Sequence, residues 1–258
     1  MRCRARGAAG ARRAGWRGAC EADAGEEAVM AGDVVEALRG GLVVSVQAYE
    51  GEPMRHSETM ARVAEACALG GAAGIRCQGP DDIREIRKRV DVPVIGLWKI
   101  GHEGVYITPT LESAIACADA GADIVALDAT GRARPDGRSF EETVQELREA
   151  RDVAVMADCM TLEDMRRAAE CGCELVSTTL SFNKAAIDTT MDEGPDLALV
   201  RQAVRELAGV PVVCEGHVHT PADAAAAIEA GAWAVVVGTA ITHPTSITRW
   251  FCEAVEEA

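Results

Sequence analysis

The sequence predicts a single α/β domain, a (β/α)8 TIM barrel with a short helix closing its bottom, and three observations carry that reading. From Leu42 onward, eight short apolar runs alternate with amphipathic stretches, as expected of parallel strands each followed by a helix. Gly-small pairs, Gly71-Ala72, Gly121-Ala122, Gly172-Cys173 and Gly231-Ala232, precede the second, fourth, sixth and eighth runs; they recur at intervals of roughly 50 to 60 residues, as in a repeated quarter-barrel. Val-Pro-Val opens the third and seventh runs, where proline begins a strand without interrupting its ladder.

Residues 1–30 form an Arg/Ala/Gly-rich extension, expected to be unstructured, with Met30 a candidate functional initiator. Residues 31–258 are expected to make the barrel. The amphipathic stretch 33–39 supplies the closing helix. Strands are expected at 42–47, 72–77, 92–99, 122–130, 153–159, 173–180, 210–216 and 233–241, because each is short, apolar and rich in β-branched residues. Helix starts fit between them. Pro80-Asp81, Thr110, Ser139, Thr161, Pro195-Asp196 and Thr220 put proline or a capping oxygen, then acids, at the helix entrances, where they satisfy free N–H groups and the dipole.

The chain has 48% hydrophobic residues but 3% aromatic ones, so its core is aliphatic. Six arginines, Arg2 to Arg17, sit in the first 18 residues without an acid, leaving 20 basic residues against all 41 acidic ones in the rest. An acidic body argues against nucleic acid and anionic membranes as partners. No apolar run nears the ~20 residues that span a bilayer. Cys67, Cys117, Cys159, Cys171, Cys173, Cys214 and Cys252 lie singly, without paired metal-ligand spacing. They read as reduced core residues of a cytoplasmic protein.

Barrel chemistry gathers at the carboxyl ends of the strands. Those ends present Gln47, Arg76, Lys99, Asp128, Asp158, Thr178, Thr179, Glu215 and the pair Gly238-Thr239. A single polar strand end is ordinarily a solvated terminus. Eight converging on one mouth make a site. Lys99 and Glu215 lie on the third and seventh strands, which face one another across a closed barrel of eight. A base opposed to an acid can remove a proton from one face of a carbon and return it to the other. Gly216, Gly238 and Thr239, on the last two loops, suit a phosphate cradle of closely approaching backbone N–H groups.

The strings GLVVSVQA, GIRCQG, GLWK with VYITPT, ADIVALDAT, MADC, STTLS, CEG with HTP, and GAWAVVVGTAIT resemble, in order, the N-acylmannosamine-6-phosphate 2-epimerase family of sialic acid catabolism. That resemblance implies interconversion of N-acetylmannosamine 6-phosphate and N-acetylglucosamine 6-phosphate, with no redox cofactor or required metal. It makes Lys99 and Glu215 the catalytic pair. Gln47, Arg76 and Asp128 would orient the sugar, with Arg76 stabilising the enolate. Carbon 2 has no neighbouring carbonyl in the closed ring, so the reacting form is the open-chain aldehyde. Lys99 must then be neutral, through burial beside Trp98 and the charge of Arg76, and Glu215 must carry a proton.

The chain departs from the family at Ile100, at Phe182, Asn183 and Lys184, and at His243, which replaces an arginine expected to clamp phosphate. Lys184, His217 or Arg249 are candidates to compensate. Two alternatives stay open: an aldolase forming a Schiff base on Lys99, and a sugar-phosphate-binding protein without turnover. A pentose-phosphate epimerase would need a metal-ligand set that His102, His217 and His219 do not form. Alanine- and leucine-faced outer helices make a homodimer plausible.

Overall fold

The structure, a computed structural model, describes residues 31–181 and 194–258. Eight strands, β1 (Gly41–Val46), β2 (Gly74–Gln78), β3 (Val94–Leu97), β4 (Ile124–Asp128), β5 (Ala154–Asp158), β6 (Leu175–Ser177), β7 (Val212–Glu215) and β8 (Ala234–Val237), form a closed barrel in sequence order. Every pairing is parallel, and β8 returns to β1 with Val236 beside Val43. The predicted (β/α)8 architecture is therefore the observed one.

Helix α1 (Ala31–Ala37) precedes β1. Its Val34 and Val35, with Leu38, join the apolar cluster inside the barrel. The Trp233 indole N–H donates to the Val35 carbonyl at 2.9 Å, pinning this plug under the start of β8.

Between strands run α2 (Ser57–Leu69), α3 (Pro80–Arg87), α4 (Leu111–Asp119), α5 (Phe140–Ala150), α6 (Leu162–Glu170), α7 (Leu197–Glu206) and α8 (Pro221–Glu229). After β8 come the single turn α9 (Thr239–Thr242) and α10 (Pro244–Glu256). Capping is as the sequence suggested. Thr110, Ser139, Thr161 and Thr220 each form a reciprocal capping box with the residue three positions on, satisfying two N–H groups at once. Gly71, Gly121, Gly172 and Gly231 all have φ between 74° and 102°, the left-handed backbone that leads from a helix into the next strand.

Strand alternation sorts the core into two layers. Val44, Ile75, Val125, Val155, Val176 and Val235 face the helices, while Val43, Ile95, Ile124, Met156, Val213 and Val236 fill the interior. The strands stop earlier than their apolar runs. The run 233–241 ends as strand at Val237, and its last residues turn at Gly238 into α9, because apolar content alone does not separate a buried strand from a buried helical turn.

The eight described cysteines are free. Burial pushes the thiol pKa of Cys117, Cys173 and Cys214 up to about 12. Cys252 departs from the core assignment, since it lies exposed on α10. Among the described residues, no helix is long and apolar enough to cross a membrane. The expected disorder of residues 1–30 and the substitutions at Phe182, Asn183 and Lys184 lie outside the described residues.

Candidate active site

The same alternation that fills the barrel with aliphatic side chains lifts a polar layer to its upper rim. Counting in twos, Gln47 follows Ser45, Lys99 follows Leu97, Asp128 follows Ala126, Asp158 follows Met156, Thr179 follows Ser177 and Glu215 follows Val213. All belong to the inward-facing parity.

Arg76 is the centre of this layer. It is 1% exposed, and its two terminal nitrogens grip Asp158 at 3.1 and 2.6 Å. Its Nε lies 3.2 Å from Glu215 Oε1 as an ion pair, off the line of a hydrogen bond. Its remaining contact is with Met156 Sδ at 3.6 Å. Burial works against the guanidinium charge, but Asp158 and Glu215 outweigh it and hold its pKa above the ordinary value. With both terminal nitrogens on Asp158, Arg76 acts on a ligand through its field and through the carboxylates beside it.

Lys99 stands half-buried at the rim, where burial and then the charge of Arg76 lower its pKa from 10.5 to about 8, against the pull of Glu215 and Asp158. Trp98, expected to shield it, instead packs among the residues under the helices, because adjacent strand residues point to opposite faces. The ring over Lys99 is Tyr49, 5.3 Å from Nζ. Glu215 is 14% exposed. Burial raises its pKa and the Asp158 charge adds to this; the charges of Arg76 and Lys99 oppose it, as would a hydroxyl proton donated by Thr179. A lowered amine and a raised carboxyl, near enough that each acts on the other's charge, are the arrangement of a base and an acid.

Four other expected residues divide. Thr179 Oγ1 lies 2.8 Å from Asp158 Oδ1 and 3.0 Å from Glu215 Oε2. Gln47 donates to Ser45 Oγ at 2.8 Å and leaves its Oε1 without a partner among the described residues. Asp128 is buried at the end of β4, but Thr130 and Arg132 occupy both its oxygens, which makes it an anchor for the following loop. Thr178 has the opposite parity. Its hydroxyl donates to the Glu215 carbonyl at 2.8 Å and accepts from the Glu215 N–H at 3.0 Å, so it braces β6 to β7 and does not face the mouth.

At the last two strands, Gly216 adopts φ of 100°, and a Cβ on Gly238 would stand 3.3 Å from that of Ser45. Thr239 opens α9, whose first amide groups have no place in the helix's own hydrogen bonding. His243 caps α10 through Ser246 and pairs with Glu52 of the β1–α2 loop. Arg249 lies exposed. His217, at φ of 55°, packs edge-on to His219.

Several residues at the mouth escaped the sequence reading. Both tyrosines of the chain gather there: Tyr49 beside Lys99, and Tyr106, whose pKa burial, Asp158 and Asp128 all raise. Glu52 accepts from the Tyr49 N–H at 2.8 Å and so fixes that turn. Residues 98–108 fold back as a hairpin, with the Ile100 N–H donating to the Tyr106 carbonyl. These residues sit on loops, where strand-end counting does not look. The pairing of just two tyrosines with two mouth loops was the available signal.

The chain's residues 60–257 match the family model described as "Putative N-acetylmannosamine-6-phosphate epimerase". A Cutibacterium acnes protein named as a putative N-acetylmannosamine-6-phosphate 2-epimerase is 51% identical over 223 residues, covering 86% of this chain and 96% of its own. One of the same name from Caldanaerobacter subterraneus is 44% identical over 229 residues, covering 87% and 95%. The solved N-acetylmannosamine-6-phosphate 2-epimerase of Clostridium perfringens superposes with a TM-score of 0.78 at 36% identity, over 85% of this chain and 95% of that one. Thiamine phosphate pyrophosphorylase from Pyrococcus furiosus, at 16% identity and TM-score 0.56, shares the fold. By sequence and by structure, this chain belongs to the N-acetylmannosamine-6-phosphate epimerase family.

Proposed function

We propose that the protein is an isomerase interconverting N-acetylmannosamine 6-phosphate and N-acetylglucosamine 6-phosphate by exchanging the proton at C2. The observation that carries this reading is the Lys99–Glu215 pair, one pKa lowered and the other raised across a single mouth. In the open-chain aldehyde, neutral Lys99 takes the C2 proton. The C–H electron pair moves into a C1–C2 double bond as the carbonyl pair moves onto oxygen, giving an enolate. Glu215 returns a proton to C2 from the other face, and the carbonyl re-forms. The opposite direction exchanges the two roles. Each turnover leaves one proton moved from acid to base, so solvent must reset the pair.

Gln47 Oε1, without a partner among the described residues, is a candidate acceptor for a substrate hydroxyl or amide, and Gly216, Gly238 and Thr239 are the candidate phosphate cradle. Eight free cysteines among the described residues suit a reducing cytoplasm. In heavy water, deuterium should enter C2 of the recovered sugar phosphate, and Lys99→Ala and Glu215→Gln should each abolish epimerisation while the fold persists. Epimerisation without deuterium at C2 overturns the chemistry. A borohydride-trapped adduct on Lys99 would instead favour the Schiff-base aldolase.

A further inference from the structure

Counting hydrogens in the carboxylate cluster assigns a role to a side chain that touches neither reacting atom. Thr179 Oγ1 has three oxygen neighbours: Ser177 Oγ at 2.5 Å, Asp158 Oδ1 at 2.8 Å and Glu215 Oε2 at 3.0 Å. A hydroxyl brings one proton and two lone pairs. Ser177, 0% exposed, already accepts the Thr179 N–H at 3.2 Å, which leaves its own proton free to point at Thr179 Oγ1. Asp158, held by two nitrogens of Arg76, offers only lone pairs as the carboxylate of that pair.

With Asp158 as the carboxylate, one assignment gives each of the three contacts a proton of its own. Ser177 donates to Thr179, Thr179 donates to Asp158, and Glu215 donates to Thr179, which requires Glu215 to carry a proton on Oε2. With Glu215 ionised, two carboxylates would share the single threonine proton, each held more weakly than by a proton of its own.

We propose that Thr179 is a positioning residue that accepts the Glu215 proton in a hydrogen bond, keeping this carboxyl in its acid form and fixing which oxygen bears the proton. This deepens the proposed epimerase reading and rests on it for the consequence to turnover. The charged groups facing Glu215 are Arg76 from β2, Lys99 at the end of β3 and Asp158 from β5. With Arg76 and Asp158 paired, a protonated Glu215 beside a neutral Lys99 leaves the cluster without net charge.

The test compares Thr179→Val, which keeps the shape and loses the hydroxyl, with Thr179→Ser, which keeps the hydroxyl. Infrared spectroscopy of the full-length protein reads the carbonyl stretch of a protonated carboxyl, assigned to Glu215 by its loss in Glu215→Gln. That band should persist in Thr179→Ser and lose at least half its intensity in Thr179→Val at the same pH. In the epimerase assay, Thr179→Val should lose roughly 100-fold in kcat with little change in KM, the low end of a general acid's contribution. Thr179→Ser should stay within about tenfold of the parent. Should Thr179→Val not fold, Thr179→Ala carries the same comparison. A Glu215 band unchanged by loss of the hydroxyl, or absent from the parent protein, overturns the assignment. The infrared readout needs no turnover, so a protein without epimerase activity that shows the expected bands refutes the function and not the role of Thr179.

Discussion

Replacing Lys99 with methionine should abolish turnover and make the protein more stable, by an amount that depends on pH in a definite way. Methionine matches the length of the lysine stem without its charge. In the folded protein, burial and Arg76 bring the amine from 10.5 to about 8, and a drop of that size corresponds to ~3 kcal/mol favouring the neutral amine. Below pH 8 the unfolded chain holds the proton easily and the folded one at a cost, so the parent is penalised by up to ~3 kcal/mol. Between about pH 8 and 10.5 the unfolded chain still binds the proton that the folded protein has shed. The parent therefore gains stability as pH rises, and its deficit against Lys99→Met closes. Urea unfolding of both proteins at pH 6, 7, 9 and 10 measures this, since all other titrating groups are shared. A stability difference that is flat with pH would refute a depressed, desolvated amine, and with it the argument that Lys99 is poised as a base.

Arg76→Met should act in the opposite sense. It strands Asp158 without its counter-charge in a site where Asp158 is fully buried, so a loss of ~3–5 kcal/mol is expected; an unchanged calorimetric melting temperature would show that the cluster is not held by this ion pair. His243→Ala removes the partner of Glu52, and Glu52 holds the turn that carries Tyr49 over Lys99. Loss of one such hydrogen bond, ~1 kcal/mol, should raise KM roughly fivefold with kcat less affected. Faster proteolytic cleavage between residues 49 and 56 would report the loosened turn, and a variant with parental KM and cleavage rate removes the latch from the mouth.

The repeated units Gly71-Ala72 and Gly121-Ala122, the threonine caps and the apolar runs were legible because their causes are local. A left-handed glycine, a hydroxyl three residues ahead of an amide and a run of β-branched residues act within one turn of chain, and their sum is the barrel. The mouth was legible as far as strand parity reaches: Lys99, Asp158, Thr179 and Glu215 lie where counting in twos from the interior valines puts them. Thr178 shows where the count was not applied, since it lies one step out of phase and braces the backbone of β7. Only the closed barrel decided the rest. Arg76 reaches Asp158 and Glu215 across strands far apart in sequence, and Tyr49, not Trp98, lies over the amine. Such contacts depend on the angle at which loops return over the mouth and on which charges share one desolvated space, and neither is encoded within a turn of chain.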